Sequence, residues 1–340
     1  MEGGTIKIKV FINLDKIKSN LVDIRQKLDD KTQILLMLKA DAYGHGLERV
    51  AEATCDIVDG YGVFSLEEGL KVRKISPKTP VFVNMLDENE IETAVQNSLS
   101  IGLSNNLQLA KIESLIEGGK VKADDVKIHL KVDSGMHRLG FDVGDIRGVC
   151  NRLKKIGCGF DGVYSHFGDH PDGQISRFDA ACKIVKAHYP NAMRHIASTH
   201  TLNDVSKHYD CVRVGLAAYL GAMRVESEVV AARRVSAAEY IGYGDFKFDE
   251  PKNVAVVFGG YADGIDRERT STVWCGGKEM KVIGVCMDSL IVDTGEELLN
   301  VHEKVLLLDP KRIDKTAKIM NTIPYTLMTA WRGRINKIYC

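Results

Sequence analysis

The sequence predicts an α/β fold in two parts: an N-terminal (β/α)8 barrel of the TIM type, then a mainly antiparallel β domain. Three observations predict it. Short apolar runs alternate with amphipathic stretches over the first two-thirds of the chain. There are eight such runs. The texture changes near Val225 to short β-rich segments separated by turn residues.

The eight runs are ILLMLK from Ile34, YGVFS from Tyr61, PVFVNM from Pro80, SIGLSN from Ser100, VKIHLKVD from Val126, FDGVYSHF from Phe160, MRHIAST from Met193 and CVRVGLAAY from Cys211. Helix-like stretches lie between them: Leu14 to Leu28, Leu47 to Ile57, Leu66 to Ile75, Leu107 to Ile116 and Gln174 to His188. Strand–helix alternation implies parallel strands joined by right-handed crossovers. Eight such units fit a closed barrel. A doubly wound open sheet is the alternative, but no G-x-G-x-x-G follows the first strand. Beyond Val225, the segments VVAARRV, AEYIGYG, NVAVVFGGY, KVIGVCM, SLIVDTG, EKVLLLD and TIPYTLMTAW read as strands of an antiparallel domain. The expected division is 1–225 for the barrel and 226–340 for the β domain, with residues 1–10 a candidate strand of the latter.

Composition excludes several classes of function. Lysine plus arginine and aspartate plus glutamate both number 46, so the charge balance argues against nucleic acid or another polyanion as partner. No apolar run approaches the ~20 residues of a membrane span. The eight cysteines are scattered without a C-x-x-C pair, and the opening residues lack the apolar block of a signal peptide. Reduced thiols in a cytoplasmic protein with no metal cluster are expected.

Functional residues of such a barrel gather where the strands end. The first run ends in Lys39, followed by ADAYGHG. An amine in a partly desolvated barrel mouth can form a Schiff base with an aldehyde, although a lysine ending a strand also serves simply to reach solvent. Tyr43 supplies a hydroxyl beside it. The fifth run brings Lys131, Asp133 and Arg138 to one loop, either as an ion-pair network or as an arginine fork for a carboxylate. The sixth brings His166. The seventh and eighth bring Thr199, Arg213, Gly215 and Leu216, and loops at these two positions often bind phosphate. Tyr243, Tyr261 and Met287 stand out in the β domain within GYGDF, GGYADGIDR and VCMDS.

Taken in order, KADAYGHG, HLKVDSGMHRLGF, YSHF, VRVG, YGYG-like GYGDF, GYADG, CMD and the late TIPY resemble the motifs of the alanine racemase family, and INLDKIKSNL resembles that family's opening helix. The resemblance runs nearly from end to end. It implies a pyridoxal 5'-phosphate enzyme, an isomerase that interconverts L-alanine and D-alanine, built as a homodimer whose active sites draw on both chains. A racemase of serine or a larger amino acid in the same family is the alternative.

The resemblance also implies roles. Lys39 would hold the cofactor and act as one acid/base, and Tyr243 of the partner chain would be the other, on the opposite face of the substrate Cα. An ordinary phenol titrates near ~10, so this role requires tuning by neighbours. His166 would pack near the cofactor and contribute to that tuning. Tyr43, Thr199, Gly215, Leu216 and Tyr325 would hold the phosphate. Arg138 would contact the substrate carboxylate, as would the backbone N–H of Met287 from the partner, and Tyr261 would wall the substrate. Lys131 matches a lysine often carbamylated in the family (N6-carboxylysine). Arg213 would bond the pyridine nitrogen. Arginine keeps its proton at working pH, so that nitrogen would stay unprotonated and the ring would be a weaker electron sink. His195 would support Arg213, with Asp288 a further supporting residue. No metal is implied. Three departures from the family pattern are Ala197-Ser198-Thr199 for Ala-Asn-Ser, His137 for a glycine, and Gly284-Val285 before Cys286 where an arginine is common. The last leaves the entrance, and so substrate breadth, open.

Overall fold

The computed structural model describes residues 8–168, 172–268 and 271–340. The first strand, β1 (Ile8–Ile12), is followed by β2 (Gln33–Met37), β3 (Gly60–Val63), β4 (Val81–Val83), β5 (Ser100–Leu103), β6 (Lys127–Lys131), β7 (Gly162–Tyr164), β8 (Met193–His195) and β9 (Cys211–Val214). The chain divides into two compact units: 18–42 with 46–218, and 1–17 with 43–45 and 219–340.

In the first unit, β2 to β9 form one parallel sheet in the order β8-β7-β6-β5-β4-β3-β2-β9. Two backbone bonds join the free edges: Asp210 N–H to the Arg194 carbonyl and Arg213 N–H to the Ala197 carbonyl, both 3.1 Å. All eight expected strands are present, and the sheet is a barrel. Parallel strands covered on both faces carry few polar residues, which is why they read as continuous apolar runs. The helices Leu47–Thr54, Leu66–Ile75, Asn106–Glu117, Ile146–Lys155 and Gln174–His188 supply crossovers between them. Rings as well as aliphatic groups fill the barrel. Tyr164 stacks on His195 at 5.1 Å, and Phe82 meets Tyr164, His129 and His195 within 5.8 Å.

The second unit is built on β10 (Met223–Val235), β11 (Lys252–Phe258), β12 (Thr272–Cys275), β13 (Lys278–Val285), β14 (Ser289–Gly295), β15 (Lys304–Leu308) and β16 (Ile335–Tyr339). The ring β10-β11-β14-β13-β12-β15 closes because the 13-residue β10 pairs with β15 over Val225–Glu228 and with β11 from Val229 to Val235. The start of β10 pairs antiparallel with β1, which pairs in parallel with β16. Residues 1–7 lie outside the described residues.

Two expected strands are not strands. TIPYTLMTAW contains the helix Pro324–Thr329. Proline suits the first turn of a helix, and a short apolar run does not by itself distinguish helix from strand. AEYIGYG is a turn-rich loop closed by Ala238 N–H to the Phe248 carbonyl and Ile241 N–H to the Phe246 carbonyl. Gly242 and Gly244 carry φ of 68° and 147°, which no regular ladder accepts. Ile241 and Phe248 anchor that loop on Val235 and Val254.

Candidate active site

Lys39 follows directly on Leu38, whose N–H donates to the Gly62 carbonyl of β3. From there the backbone takes an unusual path: Ala40, Asp41, Ala42 and Tyr43 all have φ between 53° and 55°. A left-handed turn costs non-glycine residues roughly 1–2 kcal/mol each. Such strain persists only where surrounding structure holds it, and it clusters at functional sites. Asp41 Oδ1 accepts from Leu47 N–H at 2.7 Å at the head of the next helix, and the Asp41 carbonyl accepts from Gly46 N–H.

The mouth around Lys39 is cationic. Burial lowers the pKa of Lys39 from the ordinary lysine value, Arg138 and Arg213 lower it further, and Glu68 opposes them. Lys131, at the end of β6, is buried and lies 4.5 Å from the centre of the Tyr164 ring. Burial, with Arg213 and Arg138 nearby, pushes it down to about 7, against the pull of Asp133. Asp133 turns its Oδ1 to the N–H groups of Gly135, Met136 and His137 at 2.8–3.1 Å, which shapes the loop carrying Arg138. Arg138 is exposed and makes no hydrogen bond or ion pair among the described residues.

Arg213 is buried on β9. Its Nη1 donates to the His195 carbonyl at 2.8 Å and to His195 Nδ1 at 2.9 Å; its Nη2 donates to the Ser165 carbonyl at 2.6 Å and meets His166 Nδ1 at 3.4 Å. A guanidinium has only donors, so His195 Nδ1 must accept and its Nε2 must carry the proton. That proton points to His129 Nδ1 at 2.8 Å, which fixes the His129 tautomer in turn. Burial beside Arg213 keeps both rings neutral: it holds His129 at about 4 and His195 well below the usual imidazole value. Burial and the surrounding cations push His166 down to about 3.

After β8, Thr199 opens a 3-10 turn, and its Oγ1 accepts from Ala217 N–H at 3.2 Å. Ala217 belongs to the short helix Leu216–Tyr219 that follows Gly215. Thr199, Gly215 and Leu216 are thus adjacent in the first unit. In the second unit, the ring of Tyr43 lies 5.0 Å from that of Tyr219 and 5.7 Å from that of Tyr325.

Tyr243, Tyr261, Met287 and Asp288 line a separate cleft of about 580 Å³ in the second unit, with Arg267 and Cys286. Tyr243 is 85% exposed and Met287 53% exposed. Two residues that sequence reasoning missed build this cleft. Arg334 binds buried Asp263 through both carboxylate oxygens at 3.0 and 2.7 Å and Asp288 at 2.8 Å, tying the Tyr261 turn to the Met287 loop. Asp263 also accepts from Gly260 N–H. Gly260 is required for close approach: a Cβ there would collide with the carbonyl oxygens of Cys286 and Met287. His129 and Glu68 were missed as well. Of these four, Asp263 lies within GYADG and His129 opens HLKVDSGMHRLGF, so both could have been found in motifs singled out above, whereas Glu68 and Arg334 lie outside them.

The first unit is therefore a (β/α)8 barrel with an amine and neighbouring cations at its mouth. The second is a β barrel that carries an exposed polar cleft. Residues 12–222 match the family described as alanine racemase, N-terminal domain, and residues 222–339 match alanine racemase, C-terminal domain. The chain belongs to the alanine racemase family of isomerases. Alanine racemase 2 of Caldanaerobacter subterraneus is 29% identical over 97% of this chain and 94% of its own length. Alanine racemase of Streptococcus pyogenes serotype M5 is 28% identical over 96% and 97%. Among solved structures, alanine racemase from Acinetobacter baumannii is similar with a TM-score of 0.87 and 26% identity, covering 99% of this chain and 100% of that one. The Bartonella henselae alanine racemase, solved with covalently bound pyridoxal phosphate, shares the fold with a TM-score of 0.89 at 22% identity, covering 99% and 100%.

Proposed function

We propose that this protein is a pyridoxal 5'-phosphate-dependent racemase that interconverts L-alanine and D-alanine in a homodimer. The observation that carries the proposal is the Lys39 amine, shifted toward its free-base form by burial and by Arg138 and Arg213. The donor set fits the cofactor. A nucleophilic amine suits its aldehyde, the turn at Thr199 and Gly215–Leu216 suits its phosphate, and a buried guanidinium suits a ring nitrogen that only accepts. When bound, the cofactor would supply an electron sink that makes the substrate Cα–H acidic.

The protein's own residues then do the following. Lys39 Nζ moves a proton at one face of the substrate Cα. Tyr243 of the partner subunit moves a proton at the other, and its exposure leaves it available to reach another chain. Arg138 binds the substrate carboxylate, helped by the partner's Met287 N–H. Thr199, Gly215 and Leu216 hold the phosphate, and Tyr261 limits side-chain size. Arg213, oriented by His195 and the Ser165 carbonyl, donates to the ring nitrogen without giving up its proton. Carbamylation of Lys131 would replace a cation by an anion near Arg138 and Arg213. An amine that titrates near 7 is partly uncharged at neutrality, the form that reacts with carbon dioxide. Asp288, paired with Arg334, supports the Met287 loop.

Incubating the purified protein with single L-amino acids and separating the enantiomers tests the substrate. L-alanine is expected to be racemised fastest. Serine or a larger amino acid turned over while alanine is not would overturn the assignment in favour of the alternative raised by Gly284.

A further inference from the structure

Helix Leu66–Ile75 opens with a capping box: Ser65 Oγ accepts from Glu68 N–H, and Glu68 Oε2 accepts from Ser65 N–H, both at 3.4 Å. Capping alone needs no more of that carboxylate. Yet Glu68 Oε2 also accepts from Phe64 N–H at 2.8 Å, and Oε1 accepts from Ala40 N–H at 2.7 Å, 28 residues earlier in the chain. Ala40 starts the left-handed turn. Its nitrogen is bonded to the Lys39 carbonyl carbon, so the contact fixes the peptide plane that ends Lys39.

We infer that Glu68 is a positioning residue for Lys39: it clamps the head of the left-handed turn and sets a negative charge against the arginines that face the amine. Arg138 comes from the loop after β6, Arg213 from β9 and neutral His166 from the segment after β7; Glu68 raises the proton affinity of Lys39 where the two arginines lower it. An amine that must both take and return a proton needs this balance, since the arginines alone would leave it a weaker base. The inference rests on Lys39 being the reactive amine. Its test does not depend on racemisation.

The full chain, freed of any bound aldehyde by hydroxylamine dialysis, is acylated with a water-soluble N-hydroxysuccinimide ester across pH, and Lys39 labelling is read by peptide mass spectrometry. Glu68→Gln is expected to move the Lys39 labelling midpoint to lower pH, and Glu68→Asp, which keeps the charge but retracts it, to give an intermediate midpoint. Ser65→Ala, which breaks only the hydroxyl half of the cap, is expected to lower the melting temperature and leave the midpoint in place. Equal midpoints in the wild type and both Glu68 variants, with only melting temperatures changed, would make Glu68 a helix cap and overturn the inference. Absence of racemisation with a shifted midpoint would sink the proposed function and leave this inference standing.

Discussion

Replacing Lys131 by methionine should stabilise this protein. The lysine is buried at the end of β6 and titrates at about 7 rather than at the usual 10.5. At 1.36 kcal/mol per pH unit, its proton is held about 5 kcal/mol more weakly in the folded chain than in the unfolded one. Water penetration and the Tyr164 ring reduce what is measured, so a gain of about 2–5 kcal/mol at pH 6 is expected for Lys131→Met. The sign follows from proton counts. Below pH 7 both folded and unfolded lysines are charged, and the wild type bears the whole deficit. Between about 7 and 10.5 the unfolded chain binds more protons, so wild-type stability rises with pH and the gap to the variant closes. Urea unfolding of both proteins at several pH values in carbon dioxide-free buffer, followed by circular dichroism, measures this. Equal midpoints at pH 6 with parallel pH dependence would refute the reasoning, because the lysine would then carry no buried charge.

Further outcomes follow from the same geometry. His129, His166 and His195 should stay neutral from pH 8 to 5, so their imidazole NMR signals should not titrate there. Because each unfolded histidine takes a proton near ~6.5, stability should fall as the solution is acidified below that value; a plateau in stability from pH 6.5 to 5 would contradict this. Gly260→Ala should push the Met287 loop out of place and lower kcat/KM by roughly 10²-fold, the scale of a 1 Å misplacement. A variant with wild-type kinetics would show that the close approach to Cys286 and Met287 does not matter.

What the sequence revealed depended on how each residue is used. The eight barrel strands were legible because parallel strands buried on both faces leave unbroken apolar runs, as in ILLM of β2 and the wholly buried SIGL of β5. The helix at Pro324 was not, since six residues give too few turns for a helical period to outweigh an apolar, β-like composition. Lys39 stood out because a charge ending an apolar run is unusual, Arg138 because it shares a loop with Lys131 and Asp133, and Arg213 because it interrupts the apolar run CVRVGLAAY. Glu68 did not, because an acid in the first turn of a helix is ordinary on its own and its bond to Ala40 spans 28 residues. Arg334 was equally silent: it lies outside every motif, and only the fold brings it to Asp263 and Asp288. His129 reads as one polar residue in a strand until the barrel closes and sets it against His195.

The most direct test of the proposed two-base, two-chain site is complementation between inactive subunits. Lys39→Ala and Tyr243→Phe homodimers should each be nearly inactive in alanine racemisation. After unfolding, mixing in equal amounts and reassembly, half of the dimers are mixed, and each mixed dimer has one site that pairs an intact Lys39 with an intact Tyr243 of the partner subunit. The mixture should therefore regain about a quarter of wild-type activity. A mixture as inactive as its parents, although mass spectrometry shows mixed dimers, would contradict a site shared between chains.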